Sequence, residues 1–524
     1  MAVIRGNDNG NALGGSTAAD RILGLDGNDL LSGRGGNDAL FGGNGADVLE
    51  GGDGNDRLYG DAGDDDLFGG NGSDRLFAGR ADGRDFLFGG RQSDTLVASD
   101  GFDFLDGGQG DDLLIGVAAG SSWTTTIGFS FGRSGVTVNL QDGFAIDEFG
   151  TRDTLRNIRD VDGTDRRDLI FGDASGNFIT AYQGADRIFG GDGRDELNYD
   201  TGGNRGIFAD LSRGFVNDNY GFQDRVSSIE MIRATGLADR LIGSAADETF
   251  RPFAGNDDIV GGGGFDEVWY DLDLERGGFR GVEVDLADGF AIDASGDLDS
   301  LVGIEGVRGS LLNDRLTGDS QANRLDGASG NDRLIGAGGN DTLAGGEGFD
   351  TLFGGAGRDL ASFSGDAEAG GTLGVLVRLE QAFAIDGFGS LDRLNALESV
   401  RGTAFDDRIF GSSLANDLFG GGGRDDLRGA AGNDTFEGGA GTDRLFGGAG
   451  TDRFLFRDGF EIDRVEDFNA AAERLDFSAH EKILNFDDLR LRQVGAHTRI
   501  DAGGDTLFLI GVAADDITDT VFFF

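Results

Sequence analysis

Residues 42–77 read GGNGADVLE GGDGNDRLY GDAGDDDLF GGNGSDRLF, four segments of nine on one plan. Glycine stands first and fourth, aspartate sixth and leucine eighth: Asp47 with Leu49, Asp56 with Leu58, Asp65 with Leu67, Asp74 with Leu76. A fixed period of this kind marks a repeat architecture and outranks local propensity. Backwards the period runs through Asp38, Asp29 and Asp20 to Asn11. Forwards, after a slip of two residues, it continues through Asp85, Asp94, Asp103 and Asp112.

The same phase returns in four later blocks. The first holds Asp168, Asn177, Asp186 and Asp195, and the second Asp239, Glu248, Asp257 and Asp266. The third holds Asp314, Asn323, Asp332, Asp341, Asp350 and Asp359, and the fourth Asp407, Asn416, Asp425, Asp434, Asp443 and Asp452. Of 32 steps, 27 carry aspartate, and the eighth position is apolar in every one, Ala361 being its only small occupant.

Four 38-residue inserts, starting at Gly135, Gly206, Gly281 and Gly374, separate the blocks and align without a gap. Each opens on an alternating run (GVTVNL, GIFADL, GVEVDL, GVLVRL), which predicts a half-buried strand. Each then carries F-x-x-D, ending at Asp147, Asp218, Asp293 and Asp386. The later runs LRNIRDV, VSSIEMI, LVGIEGV and LNALESV predict a further short strand or turn packing beside the repeats. The chain therefore divides into a first repeat array (1–117), four insert-plus-repeat modules (118–204, 205–279, 280–372, 373–453) and a C-terminal region (454–524).

Three residues around each apolar position suffice for a short strand; the other six must reverse the chain. Glycines permit positive φ and let carbonyls crowd without Cβ clashes. Two nonapeptides close one flat 18-residue coil, and coils stack at strand spacing, about 4.8 Å. The expected fold is all-β, a parallel β-roll with a core one side chain deep. Aspartates 18 apart then lie on adjacent coils. Two bare carboxylates 4 Å apart repel by ~4 kcal/mol at an effective dielectric of 20, so the stack needs cations between its turns. Carboxylate and carbonyl oxygens, without nitrogen or sulfur, form a hard-oxygen site that suits calcium better than zinc, copper or magnesium.

The candidate ligands are the 27 repeat aspartates, with carbonyls of turn glycines such as Gly42, Gly45, Gly51, Gly54, Gly69 and Gly72. On the order of twenty calcium ions are expected; about 20–25 would nearly cancel the formal charge of −51. Asn177, Glu248, Asn323 and Asn416 point to weaker sites beside each insert. An acidic surface adapted to high salt would scatter its acids rather than fix them in register with glycine.

The 44 basic and 95 acidic side chains exclude nucleic acid and anionic membrane as default partners. Absence of cysteine excludes disulfides, and no apolar run is long enough to span a bilayer. Neither H-E-x-x-H nor G-x-S-x-G occurs, and both histidines, His480 and His497, lie in the C-terminal region. No catalytic residue or organic cofactor is expected. The uncharged stretch 113–132 holds Trp123 and reads as an exposed patch or, preferably, a strand covering the first junction.

The tandem G-G-x-G-x-D-x-U-x motif resembles the RTX, haemolysin-type calcium-binding repeat family over some 450 residues. That resemblance implies a calcium-loaded parallel β-roll. Segments after Phe454, including DRVEDF (463–468), RLDFS (474–478), GDTL (504–507) and the tail to Phe524, resemble the family's C-terminal type I secretion region. This implies secretion to the extracellular space or cell surface, in keeping with an N-terminus, MAVIRGNDNGNALGG, that lacks a signal peptide's apolar stretch. Short strands with hairpin turns at Asp458-Gly459 and Gly503-Gly504 are expected there, closing the last coil. With no effector domain visible, the first reading is a structural protein that self-associates in a surface layer or matrix. The second is an adhesin that binds cell-surface polysaccharide, and an enzyme or toxin comes last. Asp142, Asp147, Asp293 and Asp386 read as surplus surface acids able to bridge molecules through calcium.

Overall fold

A computed structural model describes residues 1–80, 83–118, 123–129 and 134–524. The chain forms two compact units, Met1–Pro252 with Gly262–Gly264, and Phe253–Gly261 with Phe265–Phe524.

In the first unit, successive strands alternate between two parallel sheets, and each pairs with the strand one coil away. Arg21–Asp26, Ala39–Asn44, Arg57–Ala62 and Arg75–Gly79 follow one another in one sheet, with Ile22, Leu40, Leu58 and Leu76 in register. Leu30–Gly35, Val48–Asp53, Asp66–Asn71, Phe86–Arg91 and Asp103–Gln109 build the other. The eighth-position residues face inward and are fully buried from Ile22 to Leu105. Each removes about 1.5–3 kcal/mol worth of apolar side chain from water. On the outer face, the rings of Phe41, Tyr59 and Phe77 stack with centroids 4.8 and 4.9 Å apart, the spacing of the strands beneath them. The 18-residue coil expected from the period is therefore present.

The second unit repeats the plan. Arg315–Thr317, Arg333–Gly338 and Thr351–Ala356 line one sheet, and Arg324–Asp326, Thr342–Ala344 and Leu360–Ser362 the other.

Each insert continues a coil rather than interrupting the stack. In the first, Arg152–Arg156 pairs parallel with Leu113–Ile115, and Thr137–Asn139 pairs parallel with Leu169–Phe171. Phe144–Ile146 lies antiparallel between them. The same three-strand step recurs at Phe215–Asn217, Phe290–Ile292 and Phe383–Ile385. The LRNIRDV-type runs do not pack beside the roll. Asp160–Asp162 belongs to the second sheet, between Thr125–Ile127 and Phe178–Thr180, because Val161 is buried like any eighth-position residue. In the uncharged stretch, Leu113–Ile115 and Thr125–Ile127 are strands of the two sheets, and Trp123 meets Phe102 edge to face at 5.0 Å. Residues 119–122 and 130–132 of that stretch lie outside the described residues.

At the C-terminus, Arg490–Val494, His497–Ala502 and Asp505–Leu509 form an antiparallel meander, which joins the roll where Asp505–Leu509 pairs with Ile462–Val465. The Gly503-Gly504 turn is present, with both residues at positive φ. Asp458-Gly459 is not a hairpin: the strands on either side, Arg453–Leu455 and Ile462–Val465, lie in different sheets. The second hairpin turns instead at Gly495, φ 63°. Phe456, Phe460, Phe477, Phe522 and His480 fill the end of the core. No helix among the described residues is long and apolar enough to cross a membrane.

Candidate metal centre

The repeat aspartates are acidic side chains buried by their own turns. Asp29, Asp38, Asp47, Asp56, Asp65 and Asp74 are 1–3 % exposed. In each, one carboxylate oxygen is committed to the backbone, because Oδ1 accepts the N–H of the residue at the same step one coil back, Asn11 for Asp29 and an aspartate for the others. Asp29 N–H donates to Asp47 at 2.7 Å, Asp47 N–H to Asp65 at 2.8 Å and Asp56 N–H to Asp74 at 2.7 Å. The ladder passes the two-residue slip without a break, from Asp65 to Asp85 and from Asp74 to Asp94.

The other oxygen has no such partner. Among the described residues, the buried Oδ2 atoms of eighteen repeat aspartates accept no hydrogen bond: Asp29, Asp38, Asp47, Asp56, Asp65, Asp74, Asp94, Asp112, Asp186, Asp195, Asp332, Asp341, Asp350, Asp359, Asp425, Asp434, Asp443 and Asp452. Each buried polar atom left unmet costs about 1–3 kcal/mol, more if charged. Eighteen together exceed the roughly 5–15 kcal/mol that holds a domain folded.

The first glycine makes room for that oxygen. A Cβ on Gly42 would sit 2.3 Å from Asp47 Oδ2 and 2.7 Å from the carbonyl of Gly60 on the next coil. Gly51 stands in the same relation to Asp56 and Gly69, and Gly69 to Asp74 and Gly89. The first glycines lie outside the positive-φ region; the second (Gly43, Gly52, Gly70) and fourth (Gly45, Gly54, Gly72) occupy it. The carbonyl of Gly45 points at Gly63 and that of Gly54 at Gly72, 2.1 and 1.7 Å from where a Cβ would lie. A carboxylate oxygen without a donor thus faces closely stacked carbonyls in a cradle free of Cβ atoms, and such a donor set fits a hard cation. Among the described residues no three acidic or histidine side chains converge on one point. A cation held here therefore takes much of its shell from main-chain oxygens.

Burial pushes these carboxyls up, most strongly through desolvation: Asp47 and Asp56 to about 6, Asp65 and Asp425 to about 8, Asp94 and Asp332 to about 9. Backbone N–H donors oppose the shift and neighbouring aspartates add to it. Because the folded-state values lie above the unfolded ones, the metal-free coil binds protons more tightly than the unfolded chain. Its stability therefore falls as pH rises from about 4 towards 8–9. In chelator, more β-structure is expected by circular dichroism at about pH 5 than at pH 8, and calcium added near neutrality is expected to release protons. A chelated signal that is flat across that range, with no proton release, would contradict this.

Not every repeat aspartate is open. In Asp168, Oδ2 accepts the Thr164 N–H at 2.7 Å, while Oδ1 takes the Thr164 hydroxyl and the Val136 N–H. Thr235 closes Asp239, Ser310 closes Asp314 and Thr403 closes Asp407 in the same way. Ser16 closes Asp20, and Ser99 gives its N–H to Asp103 at 2.7 Å and its hydroxyl to Asp85 at 3.5 Å. A hydroxyl residue four before the aspartate replaces glycine and supplies the missing donors, and it stands at the first step of every later block. Next in line, the amides of Asn177, Asn323 and Asn416 donate to the carbonyls of Arg159, Glu305 and Glu398. Glu248 accepts the N–H of Ser244. Asp257 and Asp266 continue the ladder to Asp299 and Glu305.

These features accord with the known relatives of the chain. The RTX calcium-binding nonapeptide repeat (4 copies) matches at residues 14–49, 41–76, 81–114, 162–197, 233–268, 308–343, 335–365, 398–427 and 419–454, more than half of the sequence. The chain belongs to the RTX calcium-binding repeat family. Among solved structures, the extracellular lipase LipA of Serratia marcescens is similar at 22% identity, over 40% of this chain and 40% of that one, with a TM-score of 0.20. The AlgE6R3 subunit of the Azotobacter vinelandii mannuronan C5-epimerase is similar at 32% identity, over 23% of this chain and 78% of that one, also with a TM-score of 0.20. The RTX chain thus spans well under half of the lipase's length. No curated protein matches the chain.

The periodicity does not distinguish open from closed aspartates; the visible signal is Ser or Thr four residues ahead, at 16, 99, 164, 235, 310 and 403. Three of the four supposed surface acids are internal. Asp147, Asp293 and Asp386 are 2, 0 and 1 % exposed, because the F-x-x-D turn folds over them; only Asp142 lies on the surface.

Proposed function

We propose that this RTX protein is a secreted structural component that folds when extracellular calcium fills the turns of its rolls and then self-associates into a surface layer or matrix. The observation that carries the first half is the column of buried, donor-free Oδ2 atoms between the coils. The ligands are the open aspartates together with main-chain oxygens of the glycine turns, about twenty ions in all. Cytosolic calcium leaves such sites empty and millimolar calcium fills them, so binding free energy becomes folding free energy after export.

Self-association is supported by a surface contrast. On the outer face of one sheet, exposed Arg57 and Arg75 are direct neighbours, with Arg21 two coils from Arg57, and Arg315 and Arg333 are paired likewise in the second unit. A chain of charge −51 offers acidic surface in excess for such rows, and charge complementarity of this kind fixes partner and register. The same arginine rows suit an acidic cell-surface polysaccharide, the adhesin reading.

Sedimentation velocity in chelator and then in roughly millimolar calcium tests the proposal. Expected is a slow, expanded monomer that becomes large, uniform assemblies, weakened by salt. A compact monomer at every protein concentration would refute self-association and favour the adhesin.

A further inference from the structure

The inserts bury carboxylates that the nonapeptide motif does not account for. In the second insert, Asp218 Oδ1 accepts three backbone N–H groups, from Tyr220, Gly221 and Phe222, at 3.0, 2.5 and 2.6 Å. In the third, Asp293 Oδ1 accepts those of Ser295, Gly296 and Asp297 at 2.7–2.8 Å. In the fourth, Asp386 Oδ1 accepts those of Phe388 and Ser390. All three residues are at most 1 % exposed, and in all three Oδ2 is buried without a hydrogen-bond donor.

Six residues further on stand Asp224, Asp299 and Asp392, also at most 1 % exposed. Each takes the place of the next coil's repeat aspartate: Asp186 N–H donates to Asp224, Asp257 N–H to Asp299 and Asp350 N–H to Asp392, at 2.9–3.1 Å, and the Tyr199 and Tyr270 hydroxyls donate to the Oδ2 atoms of Asp224 and Asp299. Asp273, just ahead of the third insert, adds a donor-free buried oxygen while its other oxygen accepts the Ala294 N–H, and Asp350 adds one beside the fourth. Burial raises the pKa values of these groups. The repulsion of neighbouring acids raises them further, Asp293 acting on Asp299 and Asp273, and Asp386 on Asp392 and Asp350. Carboxylates buried like this are paired with a counter-ion or take up a proton.

The first insert shows the alternative. There the Thr151 hydroxyl donates to Asp147 Oδ2 and its N–H to Oδ1. Residue 151 corresponds to Phe222 and Asp297, which carry no hydroxyl, and to Ser390, whose N–H reaches Asp386 Oδ1 while Oδ2 stays without a donor. A hydroxyl closes Asp147 just as hydroxyls close Asp168 and Asp314 in the repeats.

We infer that the second, third and fourth inserts each hold a calcium ion of their own, keyed on Asp218, Asp293 and Asp386, and that the first insert does not because Thr151 occupies that oxygen. The inference rests on the calcium reading of the repeats. A chain that binds no calcium would fail that reading, whereas a chain with full repeat loading and unchanged counts in the variants would fail this one alone.

Ions per chain, counted by native mass spectrometry of the calcium-loaded full-length protein, test it. Asp218→Asn, Asp293→Asn and Asp386→Asn each keep the Oδ1 acceptor and are expected to bind one ion fewer with unchanged circular dichroism. An unchanged count overturns the inference. If those variants misfold, Thr151→Ala decides: uncovering Asp147 Oδ2 is expected to add one ion, and no gain would overturn the proposal.

Discussion

Removing calcium from the folded protein is expected to abolish the roll rather than loosen it. In chelator at neutral pH the β-sheet circular dichroism signal should collapse, and the radius of gyration should rise towards the about 85 Å of an unfolded chain of this length. The core cannot resist, because each coil contributes single inward side chains such as Leu49 and Leu58. Against it stand eighteen donor-free carboxylate oxygens. Restoring calcium should restore the signal cooperatively, since neighbouring coils share the Asp-to-Asp ladder. A chelated protein that keeps its β signal and its size would show that the sheets stand without the ions.

The second large effect concerns a single methyl group. Gly42→Ala is expected to destabilise the calcium-loaded protein by about 3 kcal/mol or more and to remove an ion from that turn. Backbone conformation is not the cause, because Gly42 lies outside the positive-φ region. The new Cβ would displace Asp47 Oδ2 and press on the Gly60 carbonyl. Gly236→Ala is the control: nothing lies within 4 Å of its Cβ position, so its effect should stay within about 0.5 kcal/mol. Urea titrations in saturating calcium compare the two. Equal effects would mean that the first glycine serves flexibility alone.

The contrast between these glycines shows what the nonapeptide pattern reveals and what it conceals. Spacing alone dictates the coil, because a strict nine-residue period leaves Leu40 and Leu58 no other place than adjacent strands. It also puts Asp47 and Asp65 on adjacent turns. It does not show that the first glycine yields space to a carboxylate while the second and fourth yield backbone angle, since all are written as the same letter. Nor does it show which aspartates are closed, because the donor from Thr164 or Ser310 depends on how the turn folds back. The inserts are legible as modules through their gapless alignment. Their acids are not, because charge near a turn reads as surface unless the turn is known to fold inward, as it does over Asp293. Asp458-Gly459 has hairpin chemistry, yet the solenoid path carries the chain from one sheet to the other there.

If a cation sits at each open aspartate between coils, the ions can be counted. Native mass spectrometry of the wild-type protein at saturating calcium gives that number, as ions retained per chain. About twenty are expected, tracking the eighteen open repeat aspartates and the insert sites. Retention of only a handful of ions by a chain with full β-structure would contradict it.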